Sequence, residues 1–228
     1  MAAVGCGNGG VTEASPVGKR TAGPAKAWGE KELERIALAP GDLDGFSVSP
    51  MVGEVGAGQP KVNPIAPDPA QCKPLNDMIG YVGRYQPVWQ VAKTVGETPG
   101  GHRDTVVALN SYRQQESVKV MTELRSALGI CTKFALPYTT LGWTYSDIQK
   151  LPDPSLGDDS LSYRITLNMP ADDIGPAQSV VFSYLVVRNG TTVTTFTSNP
   201  VGVTNKPTEV PRQVVDAQLE KVTEALAG

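Results

Sequence analysis

Few side chains in this sequence are of a type and spacing that could do chemistry. The three cysteines, Cys6, Cys72 and Cys131, come first. Cys6 follows Ala3-Val4-Gly5 and precedes Gly7, the small-residue setting of a truncated bacterial lipobox. Its sulfur would then carry a thioether-linked diacylglycerol, each buried CH₂ favouring the membrane by about 0.8 kcal/mol. Read plainly, Cys6 is instead an incidental residue, because no apolar secretion segment stands between it and Met1. An odd cysteine count leaves one over. Cys6 sits alone in a low-complexity arm, whereas Cys72 opens one expected helix and Cys131 follows another. Bridged, Cys72 and Cys131 would close a long loop and stabilise the fold by roughly 4 kcal/mol on the chain-entropy model. Unbridged, they would be two buried free thiols of a cytosolic protein.

The remaining candidates are thin. His102 is the only histidine and stands beside Gly100-Gly101 and Arg103, which reads as an exposed turn. A hydrolase built on His102 or a carboxylate is the enzymatic reading, yet there is no Gly-x-Ser-x-Gly elbow and no Cys–His arrangement. Gly53-x-x-Gly56-x-Gly58 lacks the Lys-Ser/Thr of a phosphate loop. Zinc would need more His and Cys. Asp158-Asp159 and Asp172-Asp173 sit beside Gly or Pro and read as turn caps; a weak calcium site is the sharper alternative, without a spaced ligand loop to support it. Tyr81, Tyr85, Trp89, Trp143 and Tyr145 could line an apolar cleft for a ligand, with Tyr81 and Tyr85 one helical turn apart. Ordinary core packing is the alternative.

The elements that would position these residues follow from periodicity. Residues 7–29 are Gly, Ser, Thr, Pro and Ala with few large apolar side chains, a composition that cannot offset ordering entropy. They read as a spacer with a reach of roughly 25 Å. Residues 30–38 spell a short helix with Leu33, Ile36 and Ala37 on one face, stopped at Pro40-Gly41. Residues 46–49 alternate as a strand, and 53–70, rich in Gly and Pro, read as a long loop or cleft edge. A helix over 73–82 carries Leu75, Met78, Ile79 and Val82 on one face. Strands are expected over 88–95 and 105–112, and a central helix over 116–129 with Val118, Met121, Leu124 and Leu128 as its stripe and Gly129 as its cap. Along 160–169, Leu161, Tyr163, Ile165, Leu167 and Met169 alternate with polar residues, a half-buried strand. Asn189-Gly190 predicts a type I′ hairpin pairing Val187 with Thr192, Val186 with Val193 and Tyr184 with Thr195. Strand 180–187 is apolar on nearly both faces and is expected to be internal. The last helix, 211–227, presents Val215, Leu219, Val222 and Leu226. Strand hairpins with helices covering one face give an α+β fold with an antiparallel twisted sheet. Residues 1–29 are expected to be a lipobox remnant and flexible tether, and 30–228 one domain.

The totals narrow the function. At 228 residues, 40% hydrophobic and with net charge −3, the chain has a real core and no basic surface for nucleic acid. No apolar run of about 18 residues could span a membrane as a helix.

As a whole the chain resembles the actinobacterial extracytoplasmic sensor domain of mycobacterial PknH-type serine/threonine kinases, which also occurs alone in lipoproteins. The resemblance begins at Leu38-Ala39-Pro40-Gly41-Asp42-Leu43-Asp44-Gly45-Phe46. It continues through the helix opened by Cys72, a strand pair, the helix from Val118 to Leu128 with Cys131 after it, a two-strand hairpin and a closing amphipathic helix, covering roughly residues 32–226. It implies an α+β domain with a cleft for an unidentified ligand. The kinase versions are richer in disulfides, and no kinase domain lies on this chain. The expectation is therefore a membrane-anchored extracytoplasmic lipoprotein, tethered through Cys6, whose sensor-like domain binds an extracellular small molecule or an envelope protein. No catalysis and no cofactor are expected. The alternative is a carrier of apolar ligands at the cell envelope, with a cavity under Leu161, Ile165, Leu185 and Leu219.

Overall fold

The computed structural model describes residues 26–51, 57–58, 65–81, 83–98, 103–136, 142–173, 175–200 and 207–227. Within them the order is α1 (Glu30–Ile36), β1 (Phe46–Pro50), β2 (Ala57–Gly58), a 3₁₀ turn (Ala70–Cys72) running into α2 (Lys73–Ile79), β3 (Trp89–Glu97), β4 (Arg103–Ser111), α3 (Gln114–Ile130), β5 (Phe134–Ala135), β6 (Thr144–Lys150), β7 (Asp159–Met169), β8 (Gln178–Asn189), β9 (Thr192–Pro200) and α4 (Arg212–Ala227). The strands form one antiparallel sheet in the order β1-β3-β4-β9-β8-β7-β6-β5. β2 lies against β3 as well, beyond the end of β1. The class is α+β, as the patterns predicted.

Alternation along β8 sets Tyr184 and Val186 on one face of the sheet and Leu185 and Val187 on the other. Each face has its own apolar cluster. On the first, Leu75 and Met78 of α2 and Val120, Met121, Leu124 and Leu128 of α3 pack on Leu161, Tyr163, Ile165, Tyr184, Val186 and Val193. On the second, Leu33 and Ile36 of α1 and Val214, Val215 and Val222 of α4 pack on Val91, Val107, Leu109, Leu185, Val187 and Phe196. The helices thus divide between the two faces, where the sequence pattern had placed them on one. The reason is visible in β8 itself: a strand apolar on both sides needs cover on both.

Other expectations shift for local reasons. The helix expected over 73–82 ends at Ile79, because Gly80 leaves the helix and Tyr81 takes a left-handed φ of 59°. α3 runs through Gly129 to Ile130, and Cys131 is the residue that ends it. Its stripe is Ser117, Val120, Met121, Leu124, Ala127 and Leu128, leaving Val118 exposed. Ser117 anchors that stripe by donating from Oγ to the Gly190 carbonyl at 3.0 Å. At the N-terminus of α3, Glu116 accepts the Arg113 backbone N–H at 3.3 Å, the reciprocal half of a capping box. α4 buries Val214, Val215, Gln218 and Val222, while Leu226 is exposed; the helix is rotated toward Gln218.

β8 is internal, between β7 and β9. The hairpin register differs from the expected one by two residues: Asn189 pairs with Thr192, Val187 with Thr194 and Val186 with Thr195. The two-residue loop is therefore Gly190-Thr191. Of these only Gly190 has a positive φ, at 59°, which is the demand of a type II′ turn and not of a type I′. A two-residue shift preserves the faces, so the apolar pattern survives it. Lys26 to Gly29, which composition places in the spacer, lie against the sheet: Trp28 donates its backbone N–H to Ser111 Oγ at 2.7 Å and packs on the second cluster. Trp28 is the large apolar side chain that the rest of that arm lacks.

Candidate functional site

Of the aromatic residues expected to share a cleft, Trp89 is set apart on the opposite face from Tyr85, Trp143 and Tyr145. Tyr85 and Trp143 pack against the α2/α3 cluster, to which Tyr145 belongs. Trp89, at the start of β3, points to the opposite face and packs with the α1/α4 cluster. Tyr81 contributes its carbonyl oxygen, which accepts from Gln90 Nε2 at 3.0 Å and Asn110 Nδ2 at 2.6 Å and so ties the end of α2 to β3 and β4. Strand parity and the early end of α2 explain the difference: residues 81 and 85 do not share a helix, and residue 89 lies on the wrong side of its strand. The deep aromatics are stacked core pairs, Phe134 with Tyr145 and Tyr163 with Tyr184, each with centroids 4.8 Å apart. Burial pushes the phenols of Tyr145, Tyr163 and Tyr184 up. Leu161 and Ile165 are packed in the same cluster.

A seam of charge runs between α2 and α3. Tyr85 donates its hydroxyl to Glu123 at 2.7 Å, Arg84 stands 3.8 Å from the same carboxylate, and the Lys119 ammonium lies 5.8 Å over the Tyr85 ring. A shallow groove of about 400 Å³ lies there, lined among others by Lys73, Pro74, Arg84, Glu123 and Ile130. Beneath it Asp77 is fully buried and pairs with Lys73 through Oδ1, while Oδ2 has no hydrogen-bond partner among the described residues. Burial pushes the Asp77 carboxyl up, against the opposing hydrogen bond from Lys73.

That carboxyl makes stability depend on pH with a definite sign. A raised pKa in the folded state means that the folded protein holds the proton more tightly than the unfolded chain. The contribution is fully present below the ordinary aspartate value and is lost as pH rises through the raised one. Asp77→Asn mimics the protonated form, and the Lys73 side chain, 27% exposed, keeps its ammonium within reach of water. The variant is expected to match the parent near pH 4 and to exceed it at pH 7 by about 1 kcal/mol, the scale of an unpaired buried acceptor. Urea unfolding midpoints of both proteins across that range check this; a gap that fails to widen contradicts it.

A second site with unmet polar capacity lies on the other face, where β7 and β8 form the floor of a groove of about 260 Å³. Residues 151–154 form one wall, with Leu151, Pro152 and Pro154, and residues 207–210 cross as a strap, with Glu209 and Val210 lining the groove. Thr208 holds the strap down by a 2.9 Å hydroxyl contact with Ser198 of β9. In the floor Arg164 and Ser183 are a registered cross-strand pair. Arg164 Nη2 donates to Glu209 at 3.2 Å, but its Nε is buried without a hydrogen-bond partner among the described residues. The Ser183 hydroxyl, on a residue 4% exposed, is likewise unpartnered. The alternation along 160–169 predicts a polar outer face on this side of the strand. An arginine among small hydroxylated residues was the signal available; its partner Glu209 lies 45 residues away.

Three of the four carboxylates in the acidic pairs are committed elsewhere. Asp158 accepts from Arg188 at 3.0 Å and from the Gly190 N–H at 2.7 Å. Asp159 takes a two-pronged contact from Arg125. Asp172 accepts the Gly175 N–H at 3.0 Å, a turn cap. The sulfurs of Cys72 and Cys131 are at bonding distance, with Cα atoms 5.5 Å apart, a disulfide linking the start of α2 to the end of α3. Cys6 and His102 lie outside the described residues.

No family model matches this chain, and no curated protein sequence matches it. Among solved structures it is similar to the extracellular domain of PknH from Mycobacterium tuberculosis, with a TM-score of 0.51 and 10% identity, over 89% of this chain and 99% of that one. A putative uncharacterized protein (Rv0999 ortholog) from Mycobacterium smegmatis gives a TM-score of 0.43 and 12% identity, over 81% of this chain and 88% of that one. At such identities the likeness to the PknH domain is one of fold.

Proposed function

We propose that this protein is an extracytoplasmic lipoprotein: a sensor-like α+β domain, beginning near residue 26 where Trp28 packs on the sheet, that binds a small molecule or an envelope protein without catalysis, tethered through the residues before it to an acyl anchor on Cys6. The observation that carries the reading is the buried Cys72–Cys131 bridge. Such bonds persist in oxidising compartments and are rare where thiols are kept reduced. The fold shared with a kinase's extracellular domain supports the same address and a recognition role. The small residues around Cys6 and the Gly/Ser/Thr/Pro/Ala composition after it suit an acylated cysteine on a spacer. With Cys72 and Cys131 paired, Cys6 is the one cysteine left over.

Intact-mass analysis of the protein extracted from membranes of a lipoprotein-processing host tests the anchor. A mass increment of diacylglycerol or more on the peptide bearing Cys6, and its loss together with membrane retention in Cys6→Ala, are expected. An unmodified Cys6 on the membrane-extracted protein rejects the anchor.

A further inference from the structure

We propose that the groove floored by β7 and β8 is a binding site for a small organic carboxylate with an apolar body, seated on Arg164, and that Glu209 occupies the carboxylate position in the ligand-free protein. This names a ligand class for the binding role proposed above and rests on that reading.

The argument begins with the guanidinium. Nε–H and Nη2–H of an arginine lie along one edge and match the two oxygens of a carboxylate in parallel. Glu209 engages Nη2 at 3.2 Å, while Nε on the same edge goes unused among the described residues. The internal carboxylate therefore fills half of a two-donor site. It is also poorly held: the Glu209 side chain is 83% exposed, and an ion pair with so exposed a partner contributes little. A second donor waits beside the first. Ser183, registered directly across from Arg164, has a buried hydroxyl without a partner. Buried polar groups are as a rule paired, and two unpaired donors meeting in one groove point to a missing acceptor.

The remaining lining sets the rest of the ligand. Leu151, Pro152, Pro154, Leu185 and Val210 are apolar, and Arg164 and Glu209 are the charged residues in the lining. Once Glu209 swings away the groove holds one cation against an apolar wall, which suits an anion with a hydrocarbon body and disfavours a cation or a polyol. A volume of about 260 Å³ lies below the usual range for drug-sized ligands, so the body is short.

The test uses the folded protein and hexanoate as probe, followed by calorimetric titration or ligand-observed NMR. Saturable binding of hexanoate is expected, with 1-hexanol, the same body without the charge, failing to compete. Glu209→Gln removes the internal competitor and is expected to tighten hexanoate binding two- to fivefold, the scale of an exposed ion pair. Arg164→Gln is expected to weaken it at least tenfold. Since Arg164 is partly buried, the fold of that variant is checked by circular dichroism. Glu209→Gln, at an exposed position, carries the test if Arg164→Gln unfolds. No saturable binding to the parent or to Glu209→Gln overturns the proposal, as does a Glu209→Gln protein that binds no tighter. Hexyl phosphate binding in place of hexanoate overturns the carboxylate assignment. None of these outcomes touches the mass measurement on Cys6, so the site and the anchored-module reading fail separately.

Discussion

Removing the Cys72–Cys131 bridge, by Cys72→Ala together with Cys131→Ala, is expected to lower the unfolding free energy by about 4 kcal/mol. The two residues are 59 apart in sequence, so the link excludes a large set of unfolded conformations. Both side chains are buried, among Leu75, Leu128 and Phe134 on the α2/α3 face. Replacing sulfur by hydrogen there adds the cost of lost packing. Against a typical domain stability of 5–15 kcal/mol, such a loss leaves a marginal fold. The measurement is urea unfolding of the double variant beside the parent with and without reductant. Reduced parent and variant should agree to within the packing difference if the covalent link is the main contribution. A change below about 1 kcal/mol in both would mean that α2 and α3 hold each other without it.

Much of the fold was legible because burial writes itself into short-range patterns. The side chains Leu161, Tyr163, Ile165 and Leu167 alternate in the sequence and share one cluster in the structure. The helix starts at residues 30, 73 and 212 and the antiparallel class follow from similar signals. What escaped depends on facts that no window contains. The expected register needed positive φ at both Asn189 and Gly190; the observed one needs it only at Gly190, which spares asparagine the steric cost of the left-handed region. The stripe of α4 was misplaced because Gln218 is polar and was left out of it, although a glutamine with both amide groups bonded can be buried as fully as a leucine. The expected aromatic group lost Trp89 because membership of a face is a question of strand parity. Trp89 is one residue out of phase, and Tyr81 falls past the end of its helix. The Arg164 groove needed the most distant information: a strand residue, its cross-strand serine and a strap after β9 come together only through the sheet order.

Gln218→Leu is expected to cost roughly 2–4 kcal/mol, although it puts a side chain of similar size into an apolar setting. Gln218 is fully buried; its Oε1 accepts the Leu38 N–H at 3.0 Å and its Nε2 donates to the Ile36 carbonyl at 2.7 Å. One amide thus serves two backbone groups at the C-terminal end of α1, where intrahelical partners run out. Leucine would leave both buried and unpaired, at about 1–3 kcal/mol each, offset in part by its apolar burial. α1 has only seven residues, too few to persist without tertiary support, so the damage should concentrate there. Lys221 and Asp42 add a second tie between α4 and the turn after α1, but that pair is partly exposed and weaker. Hydrogen exchange supplies the local readout: the Ala37 amide, bonded to the Leu33 carbonyl at 2.9 Å, should lose protection while the β7 and β8 amides keep theirs relative to the global stability. Gln218→Glu gives the sign control. At neutral pH a carboxylate would face the Ile36 carbonyl with no proton to donate, so this variant should be at least as unstable as Gln218→Leu. Protonated, the carboxylic acid can again accept from Leu38 and donate to Ile36, so its deficit should shrink as pH falls toward 4, while that of Gln218→Leu should not. A Gln218→Leu protein within about 0.5 kcal/mol of the parent, the scatter expected for a surface substitution, would mean that the amide is replaceable by packing alone.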